Sequence, residues 1–419
     1  MTGAISSGGY FDWAATAIPD ADIIAESTEI ALGAFGNPSS IHRAGKFARE
    51  KLEEARERAA AACGVPSGTL FFTSGGTESD HLVILSLLRR PAATSIAVSA
   101  VEHSAVREMA ESMKSRGWQV ITIPCDSRGI VTAEAVLGSL ENDTALVCVM
   151  AVNNETGAVQ PIRAIADSLT ERFAGKRRPH FHVDCVQTAG KIPLDLGHPG
   201  IDSAAVSAHK IGGPRGSGLL YLPRQMEPFV RGGGQERGIR NGTENLAGAW
   251  AISRCLERYY LKDTSSKLED GVKPVPPENA LLRYQLQCQL AARFIASLMA
   301  LEGCTILPAC RTAGKPAPGS GDFSLGDFSP WILQASFAGI PGEVMVRALD
   351  ERGFAISTGS ACSFRRKGAF RPILRAMGID GKTAQNAVRF SFGHRTTETD
   401  MDALQGALRE LRGQFSAGR

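Results

Sequence analysis

The sequence predicts an α/β protein in which a mostly parallel sheet is covered by helices on both faces and followed by a smaller α+β part. Three observations carry this. Short apolar runs alternate with helical stretches, the rhythm of repeated βαβ units. The chain has 419 residues, more than one hydrophobic core usually fills. Near Tyr260 its character changes, with a charged, proline-bearing stretch at 262–278 and a Gly-, Pro- and Ser-rich stretch at 309–330.

The elements follow in order. Residues 46–63 pattern as an amphipathic helix with an alanine-rich packing side. A short strand is expected over 70–73, closed by Ser74-Gly75-Gly76-Thr77, with a helix over 78–89. Further strands are expected over 95–99, 119–124, 145–151, 180–184, 203–207 and 218–222, with helices between several of them. The expected division is 11–260 for the larger part, and 1–10 with 261–419 for the smaller one, without internal repeats.

Composition narrows the function classes. Hydrophobic residues make up 43% and charged residues 21%, ordinary for a chain with a large core. A net charge of +3 is too small to argue for nucleic acid or membrane as a partner. Nine cysteines, odd in number and without CxxC spacing, point to reduced thiols rather than disulfides or a metal site. Neither a signal peptide nor a membrane-length apolar run is visible, so a cytoplasmic location is expected.

Ser207-Ala208-His209-Lys210 is the most informative stretch. The lysine sits where an apolar run gives way to the glycine-rich turn 211–216, which would let backbone crowd against a bound ring. An amine so placed suits Schiff-base chemistry with pyridoxal 5′-phosphate (PLP). Upstream, His182-Val183-Asp184-Cys185-Val186-Gln187 offers an acid for a pyridinium nitrogen. Gly75-Gly76-Thr77 joins a strand to a helix N-terminus, where an anion is favoured. Ser207, His209 and Gly242-Thr243 add further phosphate donors. Alone, Lys210 reads as a surface lysine and the glycine pair as a plain turn; their weight lies in the arrangement.

Nine ordered motifs then carry a resemblance. They are Gly36-Asn37-Pro38-Ser39-Ser40-Ile41-His42, Thr73-Ser74-Gly75-Gly76-Thr77-Glu78-Ser79, Glu102-His103-Ser104-Ala105-Val106 and Val152-Asn153-Asn154-Glu155-Thr156-Gly157. His182-Val183-Asp184, Ser207-Ala208-His209-Lys210, Gly232-Gly233-Gly234-Gln235-Glu236-Arg237, Ser360-Ala361-Cys362 and Val388-Arg389-Phe390-Ser391-Phe392-Gly393 complete the set. With these the chain resembles the NifS-like cysteine desulfurases, class V aminotransferases of PLP fold type I, over about 10–401 and more thinly over 261–331. The resemblance implies a seven-stranded, mostly parallel sheet in the larger domain. It implies that Lys210 carries PLP and moves the Cα proton, that Asp184 pairs with the ring nitrogen, and that Gln187 donates to the ring hydroxylate. Asn154 lies near the same oxygen and the substrate carboxylate, and His103 stacks on the ring and shuttles protons. Gly76, Thr77, Ser207 and His209 hold the phosphate, and Arg389 grips the substrate carboxylate. Thr243 reaches the neighbouring subunit's cofactor, which implies a homodimer.

Cys362 carries the implied reaction. It lies in a polar, basic stretch of small residues, where neighbouring cations favour the thiolate. For the other eight cysteines, notably Cys148 and Cys185, inert burial is expected. The implied activity removes sulfur from L-cysteine, leaving L-alanine and a persulfide on Cys362. The acceptor is an iron–sulfur scaffold or a tRNA-thiolation protein, as in the family's long-loop group. No resident metal is expected, Cys362 serving at most as a transient iron–sulfur ligand. The alternatives are selenocysteine lyase or another class V aminotransferase-type reaction, and a non-catalytic assembly platform. Two departures from the family stand out. Trp13 adds bulk expected at the site entrance, and the basic run Phe364-Arg365-Arg366-Lys367 after Cys362 suits an acidic patch on the acceptor.

Overall fold

A computed structural model of the chain describes residues 7–261, 278–311, 326–359 and 371–417. Its larger sheet has seven strands: β1 (Leu70–Thr73), β2 (Ser95–Ser99), β3 (Gln119–Ile123), β4 (Thr144–Cys148), β5 (His180–Asp184), β6 (Ser203–Ser207) and β7 (Gly218–Tyr221). They lie in the order β1-β7-β6-β5-β4-β2-β3. β2 through β6 pair in parallel, and β7 alone runs against the rest. β2, β4, β5 and β6 are almost wholly buried, as parallel strands covered on both faces must be.

One face packs beneath the helices Arg43–Cys63, Ile162–Arg172 and Leu246–Tyr259, and the other beneath Gly76–Ser86 and Ser104–Met113. The first helix ends at Gly64, whose φ of 72° is the left-handed stop that glycine adopts without strain. The second sheet is antiparallel, in the order β10-β9-β8, with β8 (Cys304–Leu307), β9 (Ile332–Phe337) and β10 (Ala387–Ser391). The helices Glu278–Met299, Gly342–Asp350 and Glu398–Ala417 close its core. Phe11, Ala14, Val152 and Ile192 join that same core from the N-terminal half of the chain.

The seven expected strands all form, with small shifts at their ends. The run expected to 151 stops at Cys148, because the Met150 N–H turns to Glu102 Oε1 at 2.5 Å instead of a strand. The helix expected from 78 begins at Gly76, which adds two N–H groups to its open end.

Candidate active site

In open α/β sheets ligands gather outside the carboxyl ends of the strands. Here β1, β2, β4, β5 and β6 all end at one edge of the sheet, around a cavity of about 240 Å³. The loop after β1 contributes Gly76 and Thr77, that after β2 His103, and that after β4 Met150 and Asn154. Asp184 and Gln187 come from the end of β5, Ser207, His209 and Lys210 from the end of β6, and Arg389 from β10 of the second sheet. Ten of the twelve residues expected at the site therefore line one cavity. Thr243 is exposed and does not line it. Cys362 and the basic run behind it lie outside the described residues.

Lys210 closes a single 3₁₀ turn, Ala208–Lys210, directly after β6. Its Nζ donates to the carbonyls of Ala14 and Ala15 at 2.6 and 2.8 Å. Asp184 is buried, and its Oδ1 accepts from the Val186 N–H at 2.9 Å. Burial first, then the neighbouring Asp80, push its carboxyl up to about 7. An isolated buried carboxyl resists ionising, and a cation brought against it reverses that preference.

His103 is the N-cap of the helix Ser104–Met113, its Nδ1 accepting from the Ala105 N–H at 3.2 Å. Nε2 therefore carries the ring proton in the neutral form. Burial, with the nearby charges of Lys210, Arg107 and Arg389, lowers its pKa to about 4. His209 is lowered to about 4 in the same way, and its Nδ1 lies 3.2 Å from Thr16 Oγ1.

Arg389 is 3% exposed, donating from Nη1 to the Asn154 carbonyl at 2.8 Å and from Nη2 to Asp12 Oδ1 at 2.7 Å. Arg389 Nε and Asn154 Oδ1 are both buried without a partner among the described residues. Unpaired buried donors and acceptors are costly, so their convergence on one cavity marks a place for a polar ligand. At the phosphate end, a Cβ on Gly76 would stand 2.4 Å from Val186 Cγ2, so only glycine lets the helix begin this close to β5. With an open helix end, two hydroxyls and a neutral imidazole on one side and Lys210 on the other, the residues fit a phosphorylated aromatic aldehyde.

Two expectations are corrected. The glycine turn 211–216 does not line the cavity. Gly212, with φ of 88°, packs against Asp20, and a Cβ on Gly213 would lie 2.8 Å from that of Ala208, so these glycines serve the turn's own packing. Trp13 is not at an entrance either. It is 2% exposed, donates to the Tyr10 carbonyl at 2.9 Å and packs edge-on against His394. Among residues that sequence reading passed over, Asp12, Lys191 and the Ala14 and Ala15 carbonyls touch the site groups, and Asp80 lines the cavity. Of the other eight cysteines, Cys63, Cys148, Cys185 and Cys255 are buried, and burial drives the Cys148 and Cys185 thiols well above the ordinary range. The expected burial fails for Cys125, Cys288 and Cys304, which are half-buried, and for Cys310, which is exposed.

The sequence pattern of the class-V aminotransferases matches residues 9–267 and 327–404. A NifS/IcsS protein homolog of Lactobacillus delbrueckii subsp. bulgaricus is 34% identical over 412 residues, covering 97% of this chain and 98% of its own. A cysteine desulfurase of Nostoc sp. is 33% identical over 407 residues, covering 96% and 92%. Among solved structures, a NifS-like protein superposes with a TM-score of 0.80 at 31% identity, covering 96% of this chain and 98% of its own. DndA from Streptomyces lividans gives 0.66 at 29%, covering 88% and 95%. With its sheet order, its site at the strand ends and these relatives in agreement, the chain belongs to the class-V aminotransferase family, among the NifS-like cysteine desulfurases.

Proposed function

We propose that this protein is a PLP-dependent cysteine desulfurase that converts L-cysteine to L-alanine and leaves the sulfur as a persulfide on Cys362. The observation that carries the reading is the meeting of Lys210 and Asp184, from the ends of two adjacent parallel strands, in one cavity with His103 and Arg389. Bound PLP supplies an electron sink that stabilises the charge left when an amino acid loses its Cα proton. The rest is the work of the chain's own residues. Lys210 holds the cofactor and takes the Cα proton. Asp184, anionic once a cation faces it, keeps the ring nitrogen protonated. Gly76, Thr77, Ser207 and His209 hold the phosphate, and Gln187 and Asn154 face the ring oxygen. Arg389, already fixed by Asp12 and Asn154, grips the substrate carboxylate. His103, neutral and with its proton on Nε2, donates at the departing product.

The Cys362 thiolate forms the new S–S bond as the substrate's Cβ–S bond breaks. The bonding pair passes to the carbon side, and a proton there completes alanine. The persulfide then passes to an iron–sulfur scaffold or a tRNA-thiolation protein in the cytoplasm. Thr243 is exposed in its own chain, which suits a contribution to a second subunit's cofactor in a homodimer. Residues 11–260 form the cofactor-binding part, and 1–10 with 261–419 the part that brings Arg389 and Cys362.

The test is incubation of the PLP-loaded protein with L-cysteine and reductant, following sulfide, alanine and the visible spectrum. Equal sulfide and alanine are expected. Cys362→Ala should keep the cofactor band and release no sulfide, and Lys210→Ala should release neither product. A Cys362→Ala protein with undiminished sulfide release would end the persulfide assignment.

A further inference from the structure

Lys191 is a buried lysine with no part in the reaction outlined above. It is 7% exposed, in the turn that follows β5. Burial holds its ammonium well below the ordinary lysine range, and Lys210 and Arg389 push in the same direction. No carboxylate among the described residues offsets this. A long amine kept in such a place is costly unless its hydrogen bond has a purpose.

That bond runs to the site. Lys191 Nζ donates to Gln187 Oε1 at 2.7 Å. At its other end, Gln187 Nε2 donates to the Ala14 carbonyl at 2.8 Å, the same oxygen that accepts from Lys210 Nζ at 2.6 Å. The two ends of a side-chain amide are told apart by their partners. Here a donor faces one end and an acceptor the other, and both require the same orientation. An amine donates whether charged or neutral, so the orientation does not depend on the protonation of Lys191. The amide nitrogen has two N–H groups. One is taken by Ala14, and the second remains for the cavity that Gln187 lines.

We propose that Lys191 is a positioning residue: it locks the Gln187 amide so that the site offers an N–H, and not a lone pair, to the anionic ring oxygen of the cofactor. This rests on the PLP reading above. Without Lys191, Oε1 of a side chain only 4% exposed loses its donor, and the Ala14 carbonyl alone holds the amide. A small cavity of about 30 Å³, which Lys191 lines together with Trp13, Lys210 and Trp331, leaves room for a slightly larger head group.

The experiment uses full-length PLP-loaded protein, wild type beside Lys191→Met, Lys191→Leu, Lys191→Arg, Gln187→Ala and Lys191→Met/Gln187→Ala. Two quantities are read, the visible absorption maximum and the PLP retained on serial dilution. Lys191→Met should shift the band in the same direction as Gln187→Ala and weaken PLP retention roughly three- to tenfold, the worth of about one hydrogen bond. The double variant should be no worse than Gln187→Ala, since both changes remove one interaction. Lys191→Arg, which keeps a donor, should restore both readouts. Lys191→Leu is read like Lys191→Met, so misfolding of one apolar variant leaves the other to decide. A band and retention equal to wild type, or effects that multiply in the double variant, would overturn the proposal. A wild type that shows no visible band with PLP would instead overturn the cofactor reading itself.

Discussion

Glu236→Ala should destabilise the protein by about 3–4 kcal/mol, because it strands a buried guanidinium. Glu236 lies in the Gly232–Arg237 motif, where Glu236 and Arg237 have φ of 44° and 55°. Two adjacent non-glycine residues in that region persist only where their surroundings hold them. The holding contacts are visible. Arg56 donates to both carboxylate oxygens at 2.7 and 2.8 Å, and the Phe72 N–H donates to Oε2 at 2.9 Å. Both charged side chains are almost fully buried, at 3% and 1% exposure. Alanine keeps the backbone cost of the φ values and removes all three bonds. Arg56 then retains the Leu70 carbonyl and the half-exposed Glu53, which is why the lower part of the usual range for a broken buried pair is expected. For a part of this size the loss corresponds to a fall of roughly 6–16 °C in thermal midpoint. Differential scanning calorimetry checks this, with Arg56→Met/Glu236→Leu alongside. The paired apolar replacement should recover at least half of the loss, since it leaves no buried charge. A Glu236→Ala midpoint within about 2 °C of wild type, or a double variant less stable than the single, would refute the reasoning.

Gly76→Ala puts a methyl group 2.4 Å from Val186 Cγ2 and should lower PLP retention about tenfold, with Val186→Ala in the same chain restoring it. The measurement is cofactor per protomer after gel filtration, and failure of the second change to rescue removes the steric explanation. Arg389→Lys gives up the planar fork that spans Asn154 and Asp12, so KM for L-cysteine should rise at least about tenfold with a smaller effect on kcat. Steady-state kinetics decide it, and an unchanged KM counts against carboxylate recognition by Arg389. Asp80→Asn should change the pH dependence of apoprotein stability. Burial holds the Asp80 carboxyl up to about 8, against an unfolded value of about 3.9. In the unfolded chain it ionises first, so wild type loses stability as pH rises from about 4 and levels off near 8. The amide variant lacks this term, and its advantage should open across that window and stay constant above it. Urea unfolding at about pH 5, 7 and 9 reads the difference, and a gap that does not move with pH contradicts it.

The larger sheet was legible because its strands are buried on both faces, so each reads as a short apolar run between turn residues. The loops at its carboxyl edge were legible for a related reason. Chemistry-bearing residues such as Asp184, Ser207 and Lys210 stand immediately after those runs, where side chains reach a ligand. What sequence reading missed is held by backbone or by contacts across the chain. The oxygens that receive Lys210 Nζ are the carbonyls of Ala14 and Ala15, and any residue supplies a carbonyl. Asp12 meets Arg389 across 377 positions, because the N-terminal segment docks against β10. From the sequence alone Trp13 reads as entrance bulk. The same docking instead turns it inward against Gly393 and His394, a choice made by the second sheet and not by any local pattern.

The face of β5 shows how a site that needs one anion avoids having two. Its period of two sends His180, His182 and Asp184 to the same side. There His182 Nε2 lies 3.0 Å from Asp80 Oδ1, its Nδ1 lies 2.7 Å from Ser203 Oγ, and Ser203 Oγ lies 2.8 Å from His180 Nε2. Burial lowers both imidazoles to about 4, so they are neutral and each has one donor and one acceptor. A proton on Asp80 satisfies the column in a single direction: Asp80 donates to His182 Nε2, His182 Nδ1–H to Ser203, and the Ser203 hydroxyl to His180. Taking that proton away leaves a buried carboxylate and reverses every bond behind it. The Lys210 charge acts on Asp184 and favours its anion, whereas burial is what acts on Asp80 and favours its proton. A cation placed against Asp184 adds to that preference, while the histidine column accepts the proton that stays on Asp80.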